Sequence, residues 1–184
     1  MALKIVLCGD KRVGKNTLRH KYCDLAFKSQ YLMTVGAEFS IKKVIWQNGP
    51  LAGTSTMVQV WELAPQKRFK EAGPLYYIGT HGAFLIYDVN RMDSFRNLIN
   101  CIQETISHTG PIPIAVIGNK IDIKNREVYS VSKKMGEEFA SLIKKNYLMN
   151  LFNVPFYEVS SVTGENVELA FLELLEIIYT NNYS

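Results

Sequence analysis

A glycine-containing stretch near the start of the chain has the residue types and spacing that bind phosphate. Gly9 to Lys15 read GDKRVGK, after the apolar run Leu3 to Leu7 and before an amphipathic segment. Between a strand and a helix, the glycines let the backbone turn with its N–H groups inward, and the helix N-terminus adds a positive dipole. Lys15 would reach the terminal phosphates. The spacing therefore predicts a phosphate-binding loop, the alternative being an ordinary turn between strand and helix.

The residue after the loop lysine departs from this pattern. A serine or threonine is expected there because its hydroxyl ligates magnesium, but the chain has Asn16, with Thr17 one place later. The loop itself is expected to bind phosphate, whereas base recognition and any chemistry must come from other parts of the chain.

The composition is that of a single globular domain, residues 1–184. A hydrophobic fraction of 47% with 21% charged residues excludes a disordered chain. The net charge is +4 and the lysine pairs are scattered without interleaved aromatic residues, so nucleic acid is not an expected partner. The three cysteines lie at no metal-ligand spacing and predict reduced thiols in an intracellular protein.

Nothing in the sequence predicts secretion or a membrane span. No stretch approaches the roughly eighteen uninterrupted apolar residues that a spanning helix needs. The final residues, Thr180 to Ser184, contain no cysteine for a prenyl group, so no lipid anchor is visible in this chain. We expect a cytoplasmic monomer, with peripheral association to membranes as a further option.

Strands and helices alternate along most of the chain. Apolar runs predict buried parallel strands at Leu3 to Leu7, Ala83 to Tyr87, Pro113 to Ile117 and Phe156 to Val159. Alternating patterns predict two antiparallel neighbours, Phe39 to Trp46 and Met57 to Trp61. Helical spacing predicts helices from Thr17 to Phe27, from Asp93 through Ile106, from Ser130 or Ser132 through Tyr147, and from Val167 to Tyr179. Residues 28–39 have no clear period and predict an exposed loop.

This order of elements predicts an α/β fold in three layers. We expect a mostly parallel sheet of about six strands with one antiparallel hairpin strand, and about five helices on its two faces. In such sheets, ligands bind at the carboxyl ends of the strands. The loops at those ends are therefore where binding residues are expected.

Two of these loops resemble the base-binding motifs of the Ras superfamily of small GTPases. Asn119-Lys120-Ile121-Asp122 resembles the NKxD motif that gives guanine specificity, and Glu158 to Ser161 resembles the family's last motif. Asp122 can accept hydrogen bonds from the N1–H and exocyclic amine of guanine, a pair that adenine does not present. The stem of Lys120 can lie along the base. The resemblance implies GDP or GTP as the ligand.

Two further loops resemble the switch loops of the Rab branch. Residues 31–39 resemble the first switch, and residues 60–69, followed by Tyr76-Tyr77, resemble the second. The resemblance spans nearly the whole chain and implies a P-loop NTPase (G domain) fold that changes state between GTP with Mg²⁺ and GDP. It also implies a role in intracellular signalling or vesicle trafficking, with effector and regulator proteins bound through loops 31–39 and 62–79.

The resemblance assigns roles to individual residues. The nucleotide-binding positions are Lys11, Arg12, Val13, Gly14, Lys15, Asn16, Thr17, Phe27, Thr34, Asn119, Lys120, Asp122, Ser160, Ser161 and Val162. Phe27 stands where the family has an edge-stacking aromatic residue, and the amide of Ser161 would donate to the guanine oxygen. Val162 replaces the usual lysine of the last motif. Gln66 stands at the water-orienting, catalytic position, and Asn16, Thr34 and Glu62 stand where the family holds Mg²⁺.

Departures from the family pattern cluster on the side of the γ-phosphate and the metal. Asn16 replaces a hydroxyl, and Glu62 replaces an aspartate and shifts the carboxylate by one methylene. Pro65 stands where a glycine gives its N–H to the γ-phosphate, and proline has no N–H to give. Lys11 fills a position where a small residue leaves room for the catalytic glutamine.

We therefore expect a Rab-like protein that binds guanine nucleotide, favours GDP and hydrolyses GTP weakly, acting as a binding module. One alternative is a slow GTPase in which Asn16 and Glu62 still hold Mg²⁺. A weaker alternative is a scaffold without nucleotide, with a partner surface of exposed aromatic side chains at Tyr31, Phe39, Trp61 and Tyr76. The intact NKID sequence counts against the scaffold.

Overall fold

The computed structural model describes residues 2–23, 30–32, 37–47, 51–63, 73–124 and 130–183. These residues form seven strands: β1 (Ala2–Cys8), β2 (Gln30–Leu32), β3 (Ala37–Ile45), β4 (Ser55–Leu63), β5 (Gly82–Asp88), β6 (Ile114–Asn119) and β7 (Phe156–Val159). They also form six α-helices: α1 (Lys15–Cys23), α2 (Gly73–Tyr77), α3 (Met92–Arg96), α4 (Leu98–Thr109), α5 (Lys133–Asn146) and α6 (Val167–Tyr183).

The strands form one sheet in the order β2-β3-β4-β1-β5-β6-β7. The pairs β2·β3 and β3·β4 are antiparallel, and the remaining four pairs are parallel. Every residue of β5 and of β6 is buried, which is why the central strands read as unbroken apolar runs. The predicted α/β architecture, with an antiparallel hairpin attached to a parallel sheet, is confirmed.

Apolar clusters cover both faces of the sheet and make the fold three layers deep. Helices α1 and α6 pack on one face, where Tyr22 stacks on Phe171 with their ring centroids 3.6 Å apart. Helices α2, α4 and α5 bury Tyr76, Leu98 and Phe139 on the other face. Within the described residues, no helix has the length and apolar character needed to cross a membrane.

The predicted elements differ from the structure in places that periodicity does not detect. The stretch 28–39 is predicted as a loop, but Gln30–Leu32 form β2, which pairs antiparallel with the start of β3 and adds a seventh strand to the sheet. The helix predicted from Asp93 is divided at Asn97 into α3 and α4. The prediction misses this division because the apolar spacing continues through it. Of the two candidate caps for α5, Ser132 is the one whose hydroxyl accepts a hydrogen bond from Met135 N.

The parallel strands bring their carboxyl ends to one edge of the sheet. Cys8 pairs with Leu85 in the register of β1 and β5, and Asn119 pairs with both Asp88 and Val159. The loops that follow β1, β5, β6 and β7 therefore meet at this edge, where ligands bind in sheets of this type.

Lys4 on β1 is a buried cation that attaches α2 to the sheet. Its Nζ donates to the carbonyl oxygens of Tyr76 at 2.5 Å and Ile78 at 2.9 Å, and lies 4.1 Å from the ring centroid of Trp61. Desolvation by burial lowers the pKa of the Lys4 ammonium to about 8, from 10.5. The folded protein thus releases this proton at a lower pH than the unfolded chain.

This difference predicts a pH dependence of stability that belongs to Lys4. Between pH 8 and pH 10.5 the unfolded chain holds more protons at this site, so the free energy of unfolding should rise with pH. Relative to Lys4→Met, the free energy of unfolding of the wild type should increase by at most about 1.4 kcal/mol per pH unit. Urea unfolding of both proteins at several pH values measures the difference. The titrations of cysteine and tyrosine side chains are the same in the two proteins and cancel in the comparison. A difference in unfolding free energy that does not change with pH would contradict the assignment of this pH dependence to Lys4.

Candidate functional site

The loop between β1 and α1 requires glycine at two positions. Gly9 has a φ of +150°, and a Cβ there would lie 2.2 Å from the carbonyl oxygen of Ile86 on β5. Gly14 has a φ of +96°, and its Cβ would lie 2.4 Å from Nδ2 of Asn119. A side chain at either position would collide with a neighbouring strand or loop. The predicted glycine loop is therefore packed closely against the ends of β5 and β6.

Lys15 lies across this loop. Its Nζ donates to the carbonyl oxygens of Gly9 at 2.9 Å and Asp10 at 2.8 Å. Helix α1 begins at Lys15, and Leu18 N donates to Gly14 O at 2.9 Å as its first turn closes. The amides of the first turn have no acceptor within the helix, so the loop, the ammonium and the helix end together suit an anion.

Asn119, at the end of β6, joins three loops through one buried amide side chain. Its Nδ2 donates to the carbonyl oxygen of Val13 at 2.9 Å and to Oγ of Ser161 at 3.1 Å. Its Oδ1 accepts hydrogen bonds from the backbone N–H of Lys120 at 2.8 Å and of Ser161 at 3.0 Å. The phosphate loop, the NKID loop and the last motif are thereby fixed relative to one another.

Lys120 and Asp122 are held by partners on either side. Lys120 has a φ of +72°, and its Nζ donates to Arg12 O at 2.7 Å and pairs with Asp88 Oδ2 at 2.8 Å. Asp122 Oδ1 accepts a hydrogen bond from Ser160 Oγ at 2.6 Å. The stem of Lys120 therefore crosses to the phosphate loop, and a carboxylate oriented by Ser160 stands on the same edge, available to accept from a base.

The structure brings most of the predicted nucleotide residues together, but not all. Nine of them take part in the contacts just described: Arg12, Val13, Gly14, Lys15, Asn119, Lys120, Asp122, Ser160 and Ser161. Lys11, Asn16, Thr17 and Val162 are exposed at its rim. Phe27, Thr34 and Gln66, with Pro65, lie outside the described residues. The Ser161 amide, assigned by resemblance to the guanine oxygen, donates to Asn119 here.

Sequence reasoning missed Arg19 and Asp88. Asp88 ends a buried strand at the ligand edge, a position that could have drawn attention to it. Arg19 lies between the buried residues Leu18 and Tyr22 on α1 and is itself fully buried. A charge on the apolar face of a helix is the signal that could have found it, because such a charge requires a partner.

Arg19 faces two carboxylates on the hairpin. Its Nη2 donates to Glu38 Oε2 at 2.6 Å, and its Nη1 donates to Ser40 Oγ at 2.7 Å. Its Nε lies 3.8 Å from Oε2 of Glu62 at the end of β4. Burial raises the pKa of the Glu62 carboxyl, and the charges of Lys15 and Arg19 oppose that rise. The charges of the phosphate-loop lysine and of the buried guanidinium thus both favour the ionised form of Glu62.

The comparison with known families fits this geometry. The sequence model of the Ras family matches residues 4–180. The chain belongs to the Ras family. The fold and the order of the nucleotide motifs are those implied by that membership. Ras-family proteins in general bind guanine nucleotide and Mg²⁺, and they bind effectors and regulators.

The individual relatives are Rab proteins. The chain is 34% identical over 174 residues to the Ras-related protein RABG3f of Arabidopsis thaliana, covering 92% of this chain and 78% of the relative. It is 36% identical over 176 residues to the Ras-related protein Rab7 of Prunus armeniaca, covering 93% of this chain and 79% of the relative. It is 36% identical over 180 residues to the Ras-related protein SEC4 of Candida albicans (strain WO-1), covering 97% and 78%. The chain is therefore Rab-like across almost all of its length.

The described residues of this Ras-family chain fit Mg²⁺ poorly. The buried Oε2 of Glu62 accepts no hydrogen bond from the described residues. An ion there would face the guanidinium of Arg19, which Glu38 and Ser40 hold in place. Asn16 offers an amide where the family offers a hydroxyl.

The packing at Gly14 generates a prediction. In Gly14→Ala the new methyl group must displace the Asn119 amide, and the alanine must keep a φ that is unfavourable for a residue with a Cβ. The strain of about 1–2 kcal/mol should weaken GDP binding by about tenfold or more. Fluorescent GDP titration measures the effect.

Gly53→Ala is the matched control for this substitution. Gly53 also has a positive φ, of +81°, but a Cβ there meets nothing within 4 Å. This variant should lose about 1 kcal/mol of stability and keep its GDP affinity. Equal affinity in the two variants would show that the contact between Gly14 and Asn119 does not support the nucleotide site.

Proposed function

We propose that this Rab-like protein binds guanine nucleotide, favours GDP over GTP, and hydrolyses GTP weakly or not at all. It acts as a binding module in intracellular signalling or vesicle trafficking. One observation carries the proposal. The phosphate loop and the base loops are joined through Asn119, whereas the carboxylate on the metal side, Glu62, pairs with Arg19.

Residue chemistry supports guanine as the base. Asp122 presents a carboxylate, an acceptor that suits the N1–H and the exocyclic amine of guanine. Ser160 fixes its orientation through one oxygen, and Lys120 lies between the base loop and the phosphate loop. The contacts to the α- and β-phosphates would come from the Lys15 ammonium and from the amides of residues 14–17.

Residue chemistry also supports the preference for GDP. The contacts that distinguish GTP are a hydroxyl on the metal, an N–H from the second switch and a correctly placed carboxylate. The chain has Asn16, Pro65 and Glu62 at these positions. Each departure removes or displaces a contact to the γ-phosphate side and leaves the diphosphate side intact.

Protein partners are expected at the two switch loops. Helix α2 lies within the second of these loops, and its Leu75 and the neighbouring Ile78 expose 54% and 66% of their surface. Apolar side chains exposed on and beside this helix support a protein partner there. Two of the four aromatic side chains that the scaffold alternative needs on its surface are buried: Tyr76 fully, and Phe39 with 8% exposed. The side chain of Tyr31 lies outside the described residues.

The slow GTPase remains a second candidate on one specific observation. Glu62 Oε2 is buried and accepts no hydrogen bond from the described residues, which leaves it able to accept from a metal-bound water. In that case Gln66 would orient the attacking water and Thr34 would sense the metal, as the family pattern implies.

Extraction of the bound nucleotide tests the proposal first. Heating the purified protein and separating the released nucleotide by chromatography should yield GDP. Titration should show GTP binding at least about tenfold more weakly than GDP, because a missing hydrogen bond to a charged group costs about 1.5–3 kcal/mol. Asp122→Ala should purify without nucleotide and is the control. Equal affinities would overturn the preference for GDP, and an empty wild-type pocket would favour a scaffold.

Single-turnover hydrolysis distinguishes the two candidates. With GTP loaded and magnesium in excess, phosphate release should be slower than about 10⁻⁴ s⁻¹, below the intrinsic rate of a working small GTPase. Faster release that disappears in Gln66→Ala would establish the slow GTPase in place of the binding module.

A further inference from the structure

Arg19 forms a charged centre between α1, β3 and β4. Its side chain is fully buried and makes two hydrogen bonds to β3, at Glu38 Oε2 and Ser40 Oγ. Its Nε also forms an ion pair with Glu62 on β4. A buried guanidinium with several partners on two strands is held in a single position.

The register of the hairpin explains why a cation is needed here. Glu38 and Glu62 lie directly opposite each other in the antiparallel pair of β3 and β4. Like charges at such a cross-strand position repel each other. Arg19 lies against both carboxylates and offsets this repulsion without any ion from solution.

The same cation lies one helical turn beyond the phosphate-loop lysine. Lys15 and Arg19 are four residues apart on α1, so their side chains leave the same side of the helix. Arg19 therefore belongs structurally to the element that carries the phosphate loop.

From this arrangement we propose that Arg19 is an internal counter-ion that takes the place of Mg²⁺ at Glu62. The ion pair keeps Glu62 out of any metal shell, and GDP is held by the loop amides and Lys15. GDP binding is then insensitive to magnesium. The inference rests on the proposed function, because it requires that the protein binds GDP.

The rate of GDP release tests the inference. A fluorescent GDP analogue is loaded on the wild type and chased with unlabelled GDP, once with excess Mg²⁺ and once with a chelator. The two wild-type rates should agree within about twofold. The double variant Arg19→Met with Glu38→Gln removes the guanidinium from Glu62 and leaves that carboxylate free to face the metal, so Mg²⁺ should slow release by about tenfold or more.

A charge-matched double variant controls for the loss of an ion pair. Lys42→Met with Glu168→Gln removes one cation and one carboxylate whose charged atoms are 2.6 Å apart, on β3 and α6. This pair does not touch Arg19 or Glu62 in the contacts described, and the variant should release GDP as the wild type does. If the Arg19 double variant does not fold, Arg19→Lys keeps a buried charge with fewer donors and should show an intermediate magnesium effect.

The outcomes separate this inference from the proposed function. Wild-type release that slows strongly with Mg²⁺ would overturn the role of Arg19, while GDP preference and weak hydrolysis would still be decided by their own assays. Magnesium insensitivity in both the wild type and the Arg19 variants would also overturn it, because the cause would lie elsewhere. Failure to bind any GDP would overturn both proposals.

Discussion

The hydrogen bonds of the Asn119 side chain are the constraint on which the nucleotide edge depends. One buried amide uses both of its polar atoms, donating to Val13 O and Ser161 Oγ and accepting from backbone N–H groups. A buried amide left unsatisfied costs roughly 1–3 kcal/mol, so these loops hold one another in place. Gly14 is part of the same constraint, because only a residue without a Cβ lets the phosphate loop approach the amide this closely. The phosphate loop and the two base loops are thus joined by hydrogen bonds through one side chain.

On the side of the phosphate loop that faces the β3–β4 hairpin, charged side chains determine the structure. Arg19 lies against two carboxylates that face each other across the hairpin. The guanidinium is fully buried and therefore needs these partners, so it ties helix α1 to the hairpin. Glu62 is the next-to-last residue of β4, at the ligand edge. The charges that the hairpin requires are therefore also the charges that a bound nucleotide would meet.

Sequence reasoning succeeded where local spacing fixes the structure. The glycine loop, the apolar runs and NKID each place a residue at a strand end, and parallel topology brings strand ends together. It failed where tertiary contacts decide. Strand β2 has no period of its own and exists by pairing with β3. The division at Asn97 leaves the apolar spacing unchanged. Arg19 lies 19 residues before Glu38 and 43 before Glu62, and only the pairing of β3 with β4 shows that they meet.

A nucleotide switch needs more than a nucleotide site. A ligand shifts a conformational equilibrium only by its difference in affinity for the two states. In a small GTPase, that difference comes from contacts that only the γ-phosphate and its metal make with the two loops. Under the proposed function, Asn16, Pro65 and the pairing of Glu62 with Arg19 remove those contacts, so the γ-phosphate of GTP gains no favourable contact with the two loops. On the proposed function, occupancy of the site supports one loop arrangement, and partners would recognise that arrangement rather than the number of phosphates.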